Sequence, residues 1–445
     1  MSHSSLIWSE HVITPEGSGP ATVLVTDGRI AEVAEHRLPA RGRETVELPA
    51  GTVLLPGLVD SHVHVNEPGR AEWEGFATAT AAAAAGGITT IVDMPLNSIP
   101  PTVDVTALRV KQRAARGKLA IDVGFWGGAV PGNAGELAGL HEAGAVGFKC
   151  FLLPSGVEEF PPLDRDGLLL AMRTIAAFGG LLIAHAEDPG VIAAAPGATG
   201  RRYRDFLASR PAAAEQRAVE LLIECCRQTG CRTHVVHLSS AGSLDLLRAA
   251  RAAGLPVTAE TCPHYLVLTA EDVPDGRTEF KCCPPIRDAA HQDALWQGLL
   301  DGTVDCIVSD HSPCLPAAKQ PGSGDFGSAW GGIASLQLGL PLVHTEARRR
   351  GIGLDRVVHW MSTAPARLTG LTDRGVIAPG ARADLCAFVP DREFEVRAAD
   401  LRHRHPVSPY LGRRLRGAVT RTWLAGVPVD PATRRGRFTR PARPA

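Results

Sequence analysis

Lysine is scarce in this chain. Of 46 basic residues only five are lysines, at 111, 118, 149, 281 and 319, so a lysine in an apolar setting stands out. Charge of one sign is also lacking: 46 basic residues against 47 acidic ones leave a formal net charge of −1. That balance offers no basic footprint for nucleic acid and no polyanionic tail. Cysteines number ten in 445 residues, far below the density of a disulfide scaffold, and the adjacent pairs Cys225-Cys226 and Cys282-Cys283 suit a reduced compartment. No run of about 18 apolar residues occurs, and Met-Ser-His-Ser-Ser-Leu at the start has no basic segment leading into an apolar one. The expectation is a cytoplasmic protein with neither a membrane nor a nucleic-acid partner. The alanines at 81–85 run into Gly86-Gly87 and read as helix.

Hydrophobic residues make up 44% of the chain and charged residues 21%, ample material for a core and no sign of low complexity. The length allows roughly two to four domains, or one large barrel with an accessory module. Residues 1–52 alternate in short bursts, at 21–26 and 45–48, between Gly, Pro and Asp-Gly turn signals, as small antiparallel strands do. From 53 to 368 the texture changes to Val/Ile/Leu-rich runs, each followed by an Ala/Arg-rich stretch of helical period. Eight such runs stand at 53–65, 89–95, 121–127, 145–152, 181–186, 233–238, 256–262 and 305–309. They predict a closed (β/α)8 TIM barrel rather than an open sheet. Residues 369–430 return to turns and strands, so both chain ends are expected to build one small β-sandwich domain. The Arg/Pro-rich tail, 431–445, has little apolar material and is expected to be mobile.

Residues two apart on a strand point the same way, so His62 and His64 present two imidazoles to one spot. Alone, such a pair is equally well two polar residues at a strand end. Its place at the end of the first barrel strand favours chemistry, because active sites of this fold sit at the C-terminal ends of the strands. The other strand ends agree. Strand five ends Ala184-His185-Ala186-Glu187, strand six Val236-His237-Leu238-Ser239, and strand eight Val308-Ser309-Asp310-His311. Four histidines and an aspartate therefore converge on one rim, a set suited to a borderline metal such as zinc.

Strand four ends Gly147-Phe148-Lys149-Cys150-Phe151, where burial between aromatics lowers a lysine pKa and favours the neutral amine. Such an amine reacts with carbon dioxide, and the resulting carbamate has two oxygens able to bridge two ions. The ordinary alternative is a lysine that snorkels or pairs with a carboxylate. Charge arithmetic supports the carbamate: two dications bring +4, and Asp310, a hydroxide and a carbamate each bring −1. Metal-bound water has a pKa lowered toward ~7 and serves as nucleophile near neutrality. Asp310 is then placed to take its proton and pass it to a leaving nitrogen.

With these residues in view, the chain resembles the cyclic-amidohydrolase branch of the amidohydrolase superfamily over nearly its whole length. The likeness is carried by Pro56-Gly57-Leu58-Val59-Asp60-Ser61-His62-Val63-His64, by Thr261-Cys262-Pro263-His264-Tyr265 and by the late Gly-x-Ile-x-x-Gly-x-x-Ala-Asp-Leu stretch ending at Leu385. The resemblance implies a binuclear centre of two divalent ions, zinc being the expected metal. Its ligands fall on His62, His64, carboxylated Lys149, His185, His237 and Asp310. Asn97, His264 and the main chain around Cys283 are implied substrate contacts, although turn and packing roles suit Cys283 equally. Relatives of this kind are commonly dimers or tetramers, so a homo-oligomer is expected.

Within the branch, allantoinases are the group most strongly resembled, through residues 64–76, Asp93-Met94-Pro95-Leu96-Asn97-Ser98, Pro284-Pro285-Ile286-Arg287, Ser309-Asp310-His311-Ser312-Pro313-Cys314 and Ala329-Trp330-Gly331-Gly332-Ile333. Dihydroorotases usually carry arginine where Asn66 stands, to hold a substrate carboxylate that allantoin lacks. Hydantoinases generally place a tyrosine soon after the bridging lysine, whereas Cys150-Phe151-Leu152-Leu153 follow Lys149. The resemblance therefore implies hydrolysis of the hydantoin-ring amide of allantoin to allantoate, with hydantoinase (dihydropyrimidinase) and dihydroorotase as alternatives. A non-catalytic scaffold is disfavoured, since no ligand position is lost. Arg70 is expected mainly to pair with Glu67 or Glu74 rather than to reach the ureido group.

Overall fold

The computed structural model describes residues 4–442. Residues 1–3 and 443–445, the outermost parts of the expected N-terminal segment and tail, lie outside the described residues.

Eight parallel strands form the barrel: Leu58–Val63, Ile88–Asp93, Asp122–Phe125 continuing as Gly127–Gly128, Phe148–Phe151, Leu181–His185, Arg232–Val235, Val257–Thr261 and Cys306–Ile307. Strands buried on both faces read as nearly continuous apolar runs, and Leu181–His185 is buried at every position. Neighbours pair in parallel from the first strand to the eighth, with register shifts only in the first pair. A parallel bridge between Val63 and His311, with His64 N donating to His311 O at 2.8 Å, closes the ring. The structure is a TIM barrel with a β-sandwich domain, as the alternation of runs and helical stretches predicted.

Helices between the strands start and stop on local signals. Asp104, Asp164 and Asp288 accept hydrogen bonds from backbone N–H groups of the first turns they precede, satisfying donors that have no intrahelical partner. The helix Ala212–Thr229 ends at Gly230 with φ 67°, a conformation glycine adopts without a Cβ penalty. The alanine-rich stretch is the helix Phe76–Ala85. Among the described residues no helix is long and apolar enough to cross a membrane, and all ten cysteines are free thiols.

Both chain ends build the small domain. Its sheet runs in the order Val427–Pro428, Arg414–Leu424, Leu385–Glu395, Val53–Pro56, Ser4–Thr14, Gly17–Thr26 and Arg29–Ala34, with Glu44–Glu47 pairing beside Ser4–Thr14. Its core gathers Ile7, Val23, Val25, Leu54, Leu385 and Trp423.

Three expectations are corrected. The run 53–65 is two strands, because Val53–Pro56 pairs with the small domain and only Leu58–Val63 enters the barrel. Gly57 is the pivot: a Cβ there would stand 2.4 Å from the Thr89 side chain. Strand eight is shorter than 305–309, since only Cys306 and Ile307 keep ladder pairing. The described part of the tail is docked rather than free. Gly436 N donates to Leu119 O, Thr439 N to Val123 O and Ala442 N to Gly370 O, while Phe438 packs edge-on against Phe125 at 5.5 Å. A few backbone bonds and one ring anchor a segment whose composition alone argues against order.

Candidate metal centre and active-site cavity

The strand ends deliver their side chains as the two-residue period requires. His62, His64, Lys149, His185, His237 and Asp310 all line one cavity of about 260 Å³ at the barrel mouth. His62 and His64 rings lie 5.6 Å apart, His62 and His237 5.4 Å, and His185 and His237 4.6 Å, centroid to centroid. Asp310 Oδ1 stands 3.2 Å from His62 Nε2 and 3.5 Å from His64 Nε2. One ligand atom each from His62, His64 and Asp310 lies within 4.8 Å of the others, close enough to share an ion.

Backbone conformation at the site is unusual. His237 (φ 40°), Asp310 (φ 44°), Asn66 (φ 66°) and Asn97 (φ 64°) all adopt the left-handed region. Residues other than glycine occupy it at a cost, and such outliers gather where geometry serves function.

Hydrogen bonds behind the imidazoles fix which nitrogen faces the cavity. Glu260 is buried under the site and takes His62 Nδ1 at 2.5 Å and His234 Nε2 at 3.0 Å. With the Nδ1 proton committed to Glu260, His62 Nε2 presents a lone pair toward a carboxylate oxygen and has no hydrogen-bond partner. Two acceptors facing each other are reconciled by a cation between them. Buried His237 Nδ1 is likewise without a partner. His185 Nε2 meets Glu187 Oε2 at 2.7 Å, and Glu187 in turn receives Arg210 through Nε at 2.9 Å and Nη2 at 2.6 Å. Four imidazoles, two of them oriented by carboxylates (His62 by Glu260, His185 by Glu187), together with an aspartate are the donor set of a divalent metal site, and these residues fit that role.

Electrostatics agree. Burial brings the Lys149 amine down to about 8, against the opposing pull of Asp310 and Glu260. Its Nζ lies 4.9 Å from the Phe151 ring, and that ring stacks on His185 at 4.7 Å. Burial alone would raise Asp310, but His62, His64 and His237 hold its carboxyl well below the usual range. Burial pushes His64 down to about 4, although Asp310 opposes it.

The expected substrate contacts divide. Asn97 and Cys283 line the cavity, with Asn97 Nδ2 3.3 Å from His64 Nδ1. His264 does not. It is buried beside the cavity with neither ring nitrogen hydrogen-bonded, packed on Tyr265 at 4.1 Å, and a ring nitrogen comes within 4.8 Å of Asp310. Asn66 is also off the wall, its amide donating to Pro313 O at 3.2 Å, so its side chain serves the loop. Arg70 has a structural role with different partners from those expected: it pairs with Glu159 at 2.5 Å and donates to Asn97 O at 3.0 Å. Glu67 pairs instead with Lys118, and Glu74 with His311.

Sequence reading missed Glu260, Arg210, Lys281, Ser155 and Ser312. Glu260 carried a usable signal, an acid inside the apolar run 256–262. Arg210 and Lys281 carried none, because they reach the cavity from loops.

A barrel with this rim of ligands defines a class of metal-dependent hydrolase, and the comparisons agree. The Amidohydrolase family matches residues 53–429, and the chain belongs to that family. It is 56% identical to an allantoinase of Streptomyces avermitilis over 97% of this chain and 96% of that one. To an allantoinase of Saccharomyces cerevisiae it is 44% identical, over 94% of each. Among solved structures, the L-hydantoinase (dihydropyrimidinase) from Arthrobacter aurescens superposes with a TM-score of 0.92 at 30% identity, covering 99% of this chain and all of that one.

Proposed function

We propose that this protein hydrolyses the hydantoin-ring amide of allantoin to allantoate. The observation that carries the reading is the convergence of six ligand-type side chains in one cavity, in a chain more than half identical to an allantoinase. His62, His64, Lys149, His185, His237 and Asp310 would hold two divalent ions, zinc in our reading. When bound, such ions supply an activated water and polarise the ring carbonyl.

The chain's own groups do the rest. The Lys149 amine, brought to about 8, would add to the carbon of CO2 and release a proton, giving a carbamate whose two oxygens would serve as ligands. Asp310 takes a proton from the attacking water and returns it to the ring nitrogen as the C–N bond breaks, leaving a carboxylate and a ureido group. Ser312 Oγ donates to Asp310 Oδ1 at 2.9 Å, which fixes the carboxylate for that exchange. The Arg210–Glu187 pair holds the His185 ring. Asn97, Cys283 and the segment 327–332 offer polar groups and one indole to a small ring. We read the protein as a cytoplasmic homo-oligomer, dimer or tetramer; light scattering checks the assembly.

The test is a substrate panel on protein of measured metal content. About two ions per chain and far faster opening of allantoin than of dihydroorotate, dihydrouracil or hydantoin are expected. Preference for another ring overturns the substrate, and a folded, active, metal-free protein overturns the mechanism.

A further inference from the structure

Three of the five lysines gather around the cavity. Lys149 is inside it; Lys281 and Lys319 sit at one wall. That wall is segment 327–332, Gly-Ser-Ala-Trp-Gly-Gly, which contains neither helix nor strand and whose residues 328–332 all line the cavity. Buried backbone carbonyls outside regular structure need donors from elsewhere. Here they come from two ammonium groups. Lys281 Nζ donates to Gly327 O at 3.2 Å and Ala329 O at 2.5 Å. Lys319 Nζ donates to Trp330 O at 3.0 Å, to Gly332 O, and at 3.4 Å to Lys281 O, which links the two struts. Carbonyls of four of the six residues are thus held by two side chains, each 7% exposed.

All the hydrogen bonds these ammonium groups donate go to main-chain carbonyls, four in segment 327–332 and one at Lys281. An ammonium has three donors and no acceptor, which suits it to clamp several carbonyls at once. The clamped loop also positions Trp330, whose ring meets Trp73 edge-on at 5.0 Å and whose backbone N–H donates to Ala318 O.

We propose that Lys281 and Lys319 are positioning residues for substrate recognition, holding segment 327–332 and Trp330 as the preformed wall against which the substrate ring lies. This rests on the reading of the cavity as a cyclic-amide hydrolase site. Replacing either lysine by methionine keeps length and apolar stem but leaves carbonyls unpaired, so the wall loosens while the metal ligands stay in place.

Lys281→Met and Lys319→Met should therefore hold metal as the unaltered protein does. KM on allantoin should rise about tenfold, equivalent to ~1.4 kcal/mol of ground-state binding, with kcat within about threefold. Hydrogen exchange across 327–332 should accelerate in both, while Lys281→Arg, which keeps donors, should retain protection. An unchanged KM and unchanged exchange would overturn the proposal, as would loss of kcat at constant KM. The unaltered protein supplies an independent check if a variant fails to fold: its segment 327–332 must already be protected before substrate is added, and rapid exchange there refutes preformation. Should allantoin not be opened, the kinetic arm is read on whichever ring the panel identifies. The exchange arm then still decides the strut role separately from the substrate assignment.

Discussion

Glu260→Gln isolates the role of the carboxylate under the metal site. Glu260 is 2% exposed and uses both oxygens, one on His62 Nδ1 and one on His234 Nε2. A glutamine of the same shape has one acceptor and one donor. If its oxygen faces His62, the tautomer survives and the bond loses its charge. His234 then accommodates the amide by moving its proton to Nδ1, where Thr258 Oγ1 lies 2.7 Å away and can accept it. If its NH2 faces His62, the proton moves to Nε2 and the ligand lone pair is lost. A buried hydrogen bond to a charged group contributes about 1.5–3 kcal/mol, and tenfold in affinity corresponds to about 1.4 kcal/mol. Metal affinity should therefore fall roughly 10- to 100-fold, the range found when partners of ligating histidines are removed. Competition against a chromophoric chelator reads this directly. Affinity within twofold of the unaltered protein would refute the argument that Glu260 sets the His62 tautomer.

Lys149→Ala removes the amine proposed to form the carbamate and should cost at least about a hundredfold in activity, with partial return on adding a short carboxylic acid and metal; no return under any acid leaves the proposed bridge without support. Asp310→Asn should retain much of its metal yet lower kcat by about 10²–10⁴, and near-normal turnover would remove Asp310 from the proton exchange. His403 faces His311, Glu74 and His405, and burial, with His311 adding to it, pushes its pKa down from 6.5 to about 4. Between those values the unfolded chain binds a proton that the folded chain excludes, so stability falls as pH drops from 6.5 toward 4 and levels below it. The loss is about 3 kcal/mol. Urea unfolding at pH 7 and pH 4.5 should show a shallower fall for His403→Phe than for the unaltered protein; equal slopes would contradict the assignment.

The site was legible in the sequence wherever function sits on a regular element. Strand periodicity is local, so His62 and His64, and the single ligands closing strands four, five, six and eight, could be assigned to one rim as soon as eight runs implied a closed barrel. Position 149 stood out because lysine is rare. The same logic failed where regularity ends. The run 53–65 conceals the break at Gly57, because both strands are apolar and only contact with Thr89 and Asp384 shows where one domain becomes the other.

Local patterning thus brought the ligand-type residues to one rim and foretold the barrel and the shared β domain, since strand and helical periods and turn signals are local. Pairings distant along the chain were decided only by tertiary structure. Glu260 meets His62 across 198 residues, Arg70 takes Glu159 instead of its neighbours Glu67 and Glu74, and Lys281 and Lys319 serve carbonyls of a loop up to 48 residues away. The tail docks for the same reason. A side chain's partner depends on which segments the closed fold brings within about 3 Å, and no period in the sequence encodes that distance.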